Sequence, residues 1–113
     1  MVINIFITQI IFTKTYIQTM IIEWDENKNR VNQKKHGLSF EIAQLVFDDL
    51  LHISIQDRHT EGEERWKTIG KIGGLTVVLV AHTVEDEDSY TTIRIISARK
   101  ATKHERKNYE QAN

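Results

Sequence analysis

The sequence predicts an α+β fold, with two N-terminal helices packed on a mostly antiparallel sheet and a short C-terminal helix. Three observations carry that prediction. Helix start and stop signals crowd between Asp25 and Ser39, strand periodicity runs from Leu50 to Arg99, and a further helix-start signal follows at Thr102. Strands grouped after helices favour helices on one sheet face, which leaves the other face for a ligand. A chain of 113 residues fits one domain.

The elements follow in order. Val2 to Phe12 is a charge-poor apolar run interrupted by Asn4, Thr8 and Gln9. It is shorter than the roughly 20 residues of a membrane span. No Lys or Arg precedes it and no small-residue cleavage site follows, so it makes a poor signal peptide. Its β-branched content suits an added strand or a sticky arm. Met20 offers an alternative start, dividing the chain into a leader, 1–19, that need not be native and a domain, 20–113.

Ile21, Ile22 and Trp24 then read as a short strand, closed by Asp25 as the cap of a helix over Glu26 to His36. Gly37 supplies a left-handed stop. Ser39 is a second cap, and Leu38 with Ala43 takes the positions of a hydrophobic staple. Ile42, Ala43, Val46 and Phe47 recur at helical spacing and predict a buried face.

Ile53 and Ile55 alternate with Ser54 and Gln56 as in a strand, and Asp57 to Glu63 reads as a polar loop. Arg65 to Ile72 alternates again before the hairpin signal Gly73-Gly74. Leu75 to Ala81 is continuously apolar, as in a central strand buried on both faces. Glu85 to Ser89 makes a turn and Tyr90 to Arg99 a last strand. Thr102 with Glu105 forms a capping box that opens a helix through Tyr109.

Charge is segregated although the net charge is -1. Lys28, Arg30, Lys34, Lys35 and His36 form one basic stretch; Arg94, Arg99, Lys100, Lys103, Arg106 and Lys107 form another, broken only by Glu105. Segregated charge can build a local anion site on a neutral molecule, and it can equally be two solvated helix faces. The absence of cysteine excludes disulfides, thiolate nucleophiles and Cys-ligated zinc, and it suits a reducing cytoplasm. The five histidines are scattered, with no metal-ligand spacing, so neither metal nor cofactor is expected.

Several segments resemble one family. Ile22-Glu23-Trp24-Asp25 with Asn27-Lys28 resembles the opening of BrnT-type toxins, and Lys35 to Glu41 is similar to their helix junction. Asp57 to Gly70 is similar to their central loop and strand. Arg94 to Arg99, then Ala101-Thr102, Glu105-Arg106 and Tyr109, resembles their C-terminal signature. The resemblance covers roughly residues 20 to 112, in order. It implies a toxin of a two-gene toxin–antitoxin system with a fold similar to RelE-type ribonucleases. Its implied partners are an RNA substrate and a ribbon-helix-helix antitoxin that covers the toxin and binds the shared promoter DNA.

A metal-independent ribonuclease needs a base for the 2′-hydroxyl, an acid for the leaving oxygen, and cations around the phosphorane. His36 at a helix end is a candidate proton carrier or phosphate contact, or only a complement to the helix dipole. Lys35 beside it is a candidate substrate contact. His82, at the end of the apolar strand, is a candidate catalytic group or a satisfied core histidine. Arg65 either clamps phosphate or pairs with Glu61, Glu63 and Glu64. Arg94 and Arg99 bracket an apolar segment. Strict alternation points them to opposite faces unless a bulge re-aims one. Arg106 and Tyr109 share a helix face as candidate substrate contacts, with helix packing as the alternative for Tyr109. Trp24 and Trp66 read as core. The leading expectation is an endoribonuclease, and the alternatives are a non-catalytic RNA- or partner-binding module and a dimerising structural domain with the leader as an edge strand.

Overall fold

A computed structural model describes residues 3–12, 17–60 and 62–113, with side chains from Thr19 onward apart from 58–61. The chain runs β1 (Ile3–Phe12), β2 (Ile17–Asp25), α1 (Glu26–His36), α2 (Phe40–Ala43), a 3₁₀ segment (Gln44–Asp48), β3 (Ile53–Thr60), β4 (Glu63–Ile72), β5 (Thr76–Asp86), β6 (Tyr90–Lys100) and α3 (Lys103–Ala112). The strands form one sheet in the order β1-β2-β6-β5-β4-β3. The sheet is mixed, because β2 runs parallel to β6 while the other neighbours are antiparallel.

Local chemistry sets the helix ends. The Asp25 carboxylate accepts from the backbone N–H of Asn27 at 2.8 Å, and Gly37 closes α1 at φ 67°. Ser39 caps α2, and Thr102 and Glu105 form the reciprocal capping box of α3. At the β4–β5 hairpin Gly73 and Gly74 both take positive φ, and the Leu75 N–H closes the turn onto the Ile72 carbonyl.

One face of the sheet carries α2, the 3₁₀ segment and the main core, in which Ile22, Trp24, Phe40, Val80 and Ile95 are fully enclosed. Trp24 meets Phe40 edge-on, their ring centroids 6.1 Å apart. The 3₁₀ segment lies so close to β4 that a Cβ on Gly70 would stand 2.7 Å from the Val46 carbonyl oxygen. Gly70→Ala is expected to cost about 1–3 kcal/mol, measurable as a lower urea midpoint. The second face carries α3 over a smaller cluster of Ile69, Val77, Leu79 and Tyr109.

α1 packs through polar side chains. β2 pairs with β6 only as far as Trp24 and Ile95, so the next stretch of β6 has no strand beside it on that edge. Asn32 fills the gap: its amide donates to the Ala98 carbonyl at 2.8 Å and accepts from the Ala98 N–H at 3.1 Å. Asn29 accepts from the Phe40 N–H at 2.8 Å and ties α2 to α1.

Two expectations are corrected. The second helix is one α-helical turn continued as 3₁₀, and Ile42, expected in its buried face, is 49% exposed. The loop expected over Asp57 to Glu63 is strand at both ends, because β3 continues to Thr60 past an irregularity between Gln56 and His59. Among the described residues the sheet is antiparallel in four pairings and parallel in one, β2 with β6. β2 begins at Ile17, and β1 pairs antiparallel with β2. Among the described residues no helix is long and apolar enough to cross a membrane.

Candidate functional site

The site is built by a bulge in β6. The consecutive residues Ala81 and His82 of β5 pair with Ser97 and Ile95, so Ile96 stands opposite no residue of its own. The extra residue resets the alternation. Arg94 pairs with Thr83 and Arg99 with Leu79, so both arginines lie on the second face, the face of α3. On the other side of β5, Trp66 pairs with His82, which brings Arg65 of β4 level with Thr83 on the same face. Arg65 and Arg94 therefore flank Thr83 from two neighbouring strands.

They open together into a cleft of about 150 Å³, bordered also by Lys28 and by the carboxylates of Asp25 and Glu63. Asp25 is committed to the α1 cap. Glu63 stands 3.6 Å from the Arg65 guanidinium, whose side chain is 25% exposed. The Arg65 Nε is buried with no hydrogen-bond partner. A buried donor of this kind costs stability until an acceptor reaches it. Among the described residues Arg94 and Lys28 make no ion pair. Two arginines and a lysine thus border the cleft together with two carboxylates, one of which is committed to a helix cap.

Beside the cleft lies a second slot of about 330 Å³ between α1 and β6, bordered by Lys35 and His36. Lys28 and Ile96 border both spaces.

The remaining candidates lie elsewhere. Arg99 is held by Glu105 in a two-pronged ion pair of 2.8 and 3.0 Å. That hydrogen bond holds the Glu105 carboxyl down to about 2, against the cost of its partial burial, and raises Arg99. Its guanidinium is spent on α3. His82 is 1% exposed on the opposite face, edge-on to Phe47. Its Nδ1–H donates to the Thr83 carbonyl at 3.1 Å, leaving Nε2 to accept from the Thr68 hydroxyl at 2.6 Å. Burial pushes His82 down to about 4. It is a satisfied core histidine. Tyr109 is buried under α3 and donates to Asp49, and burial first, then that carboxylate, pushes its hydroxyl up to about 12. Arg106 is exposed on α3 and does not border the cleft.

The sequence reading thus brought Arg65 and Arg94 to one place, with Lys35 and His36 in the adjoining slot. It missed Lys28 and Glu63. Lys28 sits in the first basic stretch, but nothing local singles it out from Arg30 or Lys34. Glu63 reads as one of several loop acids until the β3–β4 hairpin fixes it beside Arg65.

A small mixed-sheet domain with helices on both sheet faces, and with two arginines and a lysine bordering one cleft, is an α+β protein. Comparison with known proteins narrows the class. The family model described as the ribonuclease toxin BrnT of type II toxin–antitoxin systems matches residues 24–105. The crystal structure of the Brucella abortus ribonuclease toxin BrnT is similar, with 31% identity, a TM-score of 0.50, and coverage of 71% of this chain and 94% of that one. No curated protein matched significantly. The chain belongs to the BrnT family of ribonuclease toxins of type II toxin–antitoxin systems.

Proposed function

We propose that the chain is an endoribonuclease toxin whose own side chains, without a metal ion, cleave cytoplasmic RNA. The carrying observation is the pair Arg65 and Arg94, which flank Thr83 and border one cleft together with Lys28. A phosphate seated there accepts from both guanidinium groups, which also stabilise the charge that builds on its equatorial oxygens. Glu63 takes the proton of the 2′-hydroxyl as its oxygen attacks phosphorus. The bond from phosphorus to the 5′-oxygen breaks, Lys28 protonates the leaving oxygen, and the products are a 2′,3′-cyclic phosphate and a free 5′-hydroxyl. Lys35 and His36 hold the neighbouring phosphate.

The family's toxin–antitoxin pairing supports a protein partner. We assign it as a ribbon-helix-helix antitoxin that covers the toxin and carries it to promoter DNA. Co-expression of the neighbouring gene should then relieve growth arrest.

Purified protein incubated with RNA in EDTA should cut it and leave cyclic phosphate ends, and Arg94→Ala should remove most of the cutting. RNA that stays intact at high protein concentration overturns the proposal. A second reading, an RNA-binding module without cleavage, is favoured by the histidines: His82 faces the core, and His36 lies in the adjoining slot rather than the cleft. It expects salt-sensitive binding of uncut RNA.

A further inference from the structure

The slot beside the cationic cleft has a composition that phosphate binding alone does not require. Val31 is the one apolar side chain in α1, and a surface helix normally turns such a residue toward the core. Here the arrangement is reversed. Asn29 and Asn32 take the buried positions, while Val31 is 64% exposed and forms the floor of the slot with Ile96. Ile96 is there because it is the bulged residue of β6, displaced from the pairing that its neighbours keep. An exposed valine and a bulged isoleucine therefore make one apolar surface between Lys28 on one side and Lys35 with the His36 imidazole on the other.

We infer that this slot is a nucleobase subsite, which receives the base of a nucleotide next to the phosphate held by Arg65 and Arg94. The inference rests on the proposed RNA-binding reading of the cleft and deepens it. Single-stranded RNA presents an anion, a sugar and a flat, largely apolar base in each nucleotide, and proteins read such strands by splaying bases onto apolar or aromatic side chains. The order of cation, apolar floor and cation along α1 matches that alternation. Lys28 and Lys35 are two helical turns apart, about 10.5 Å along the axis at 1.5 Å per residue, which leaves room for a base between them. The His36 imidazole offers a ring edge or face at the far end, and the Ser97 hydroxyl, which has no hydrogen-bond partner among the described residues, borders the slot as a donor or acceptor. Lys28 and Ile96 border both the slot and the cleft, so the two spaces lie side by side, as neighbouring nucleotides of one strand require.

The test uses binding, so it does not depend on cleavage. Short single-stranded RNAs with a 2′-O-methyl group at the reactive position are prepared intact, and with the base removed from the nucleotide on either side of the scissile phosphate. Wild-type protein should bind the intact strand at least about fivefold more tightly than one of the two abasic strands, as loss of a stacked base implies. Val31→Asp should bind the intact strand as weakly as wild type binds that abasic strand, and should not weaken abasic binding by more than about twofold. The exposed position lets this variant keep its Tm. Arg94→Ala should weaken binding of all the strands alike. If Val31→Asp keeps the full preference for the intact strand while Arg94→Ala loses affinity, the subsite falls and the phosphate cleft stands. If wild-type protein binds none of the strands, both fall. If Val31→Asp instead turns a wild-type dimer into a monomer in sedimentation with RNA affinity unchanged, a second copy fills the slot and the inference is wrong.

Discussion

Arg94 and Arg99 sit on the same strand and, because of the bulge at Ile96, on the same face, yet their surroundings give them opposite employment. Arg94 looks across Thr83 to Arg65; Glu23 stands beside it on β2, but among the described residues Arg94 makes no ion pair. Arg99 meets the Glu105 carboxylate of α3, which is itself fixed by the capping box at Thr102. Residue type and strand position are shared, and the difference comes from what the next element brings over each end of β6. A guanidinium with an internal carboxylate holds structure together, and one left open is available to a ligand.

The largest expected effect separates the two ends directly. Arg94→Ala should lower RNA cleavage by roughly 100-fold or more, the scale of losing one charged donor to a transition state, with Tm unchanged. Arg99→Ala should lower Tm and leave cleavage at low temperature within about threefold. Equal losses of activity from the two substitutions would erase the distinction.

A smaller effect concerns the second tether of α3. Asp49 accepts from the Tyr109 hydroxyl and from the backbone N–H groups of Lys71 and Leu51. Tyr109→Phe removes one of these bonds and should cost about 1.5–3 kcal/mol, the range for a hydrogen bond to a charged group. Cleavage should be spared. Loss of activity without loss of stability would return Tyr109 to the substrate.

Smaller still is the ion pair itself. Glu105 sits near the surface, so Glu105→Gln should cost about 1 kcal/mol after solvent screening. Its pH dependence has a definite sign. The folded carboxyl lies at about 2 against an ordinary 4.5, so the pair's stabilisation is present above 4.5 and is lost as pH falls toward 2. His82 acts in an earlier window. Burial holds it at about 4 against an ordinary 6.5, so its neutral core position stabilises the fold above 6.5 and loses that contribution as pH falls toward 4. Urea midpoints should therefore drop in two steps on acidification, and Glu105→Gln should flatten only the lower one.

What was legible in the sequence was local. The caps at Asp25, Ser39 and Thr102, the stop at Gly37 and the Gly73-Gly74 turn each depend on a few neighbouring residues, and all form. The site depended on relations that no short window contains. Alternation alone sent Arg94 and Arg99 to opposite faces, because an inserted residue inside an apolar stretch leaves no mark of its own. The face of His82 was hidden for a related reason: Leu75 to Ala81 is apolar throughout, so the period that would point His82 toward Phe47 carries no signal. Arg65 joins Arg94 only because the sheet orders β6, β5 and β4 side by side. The Arg99–Glu105 pair could have been found, since the capping box already fixed Glu105 just past the end of the strand.

The central claim is that Arg65 and Arg94 grip one phosphate jointly, and a double-mutant cycle on RNA cleavage in EDTA tests it most directly. Two groups acting on one anion should be strongly coupled: either alanine substitution alone removes most of the activity, and the double variant is little worse than the weaker single one. Losses that simply multiply would mean that the two arginines work independently, and the shared phosphate site would be contradicted.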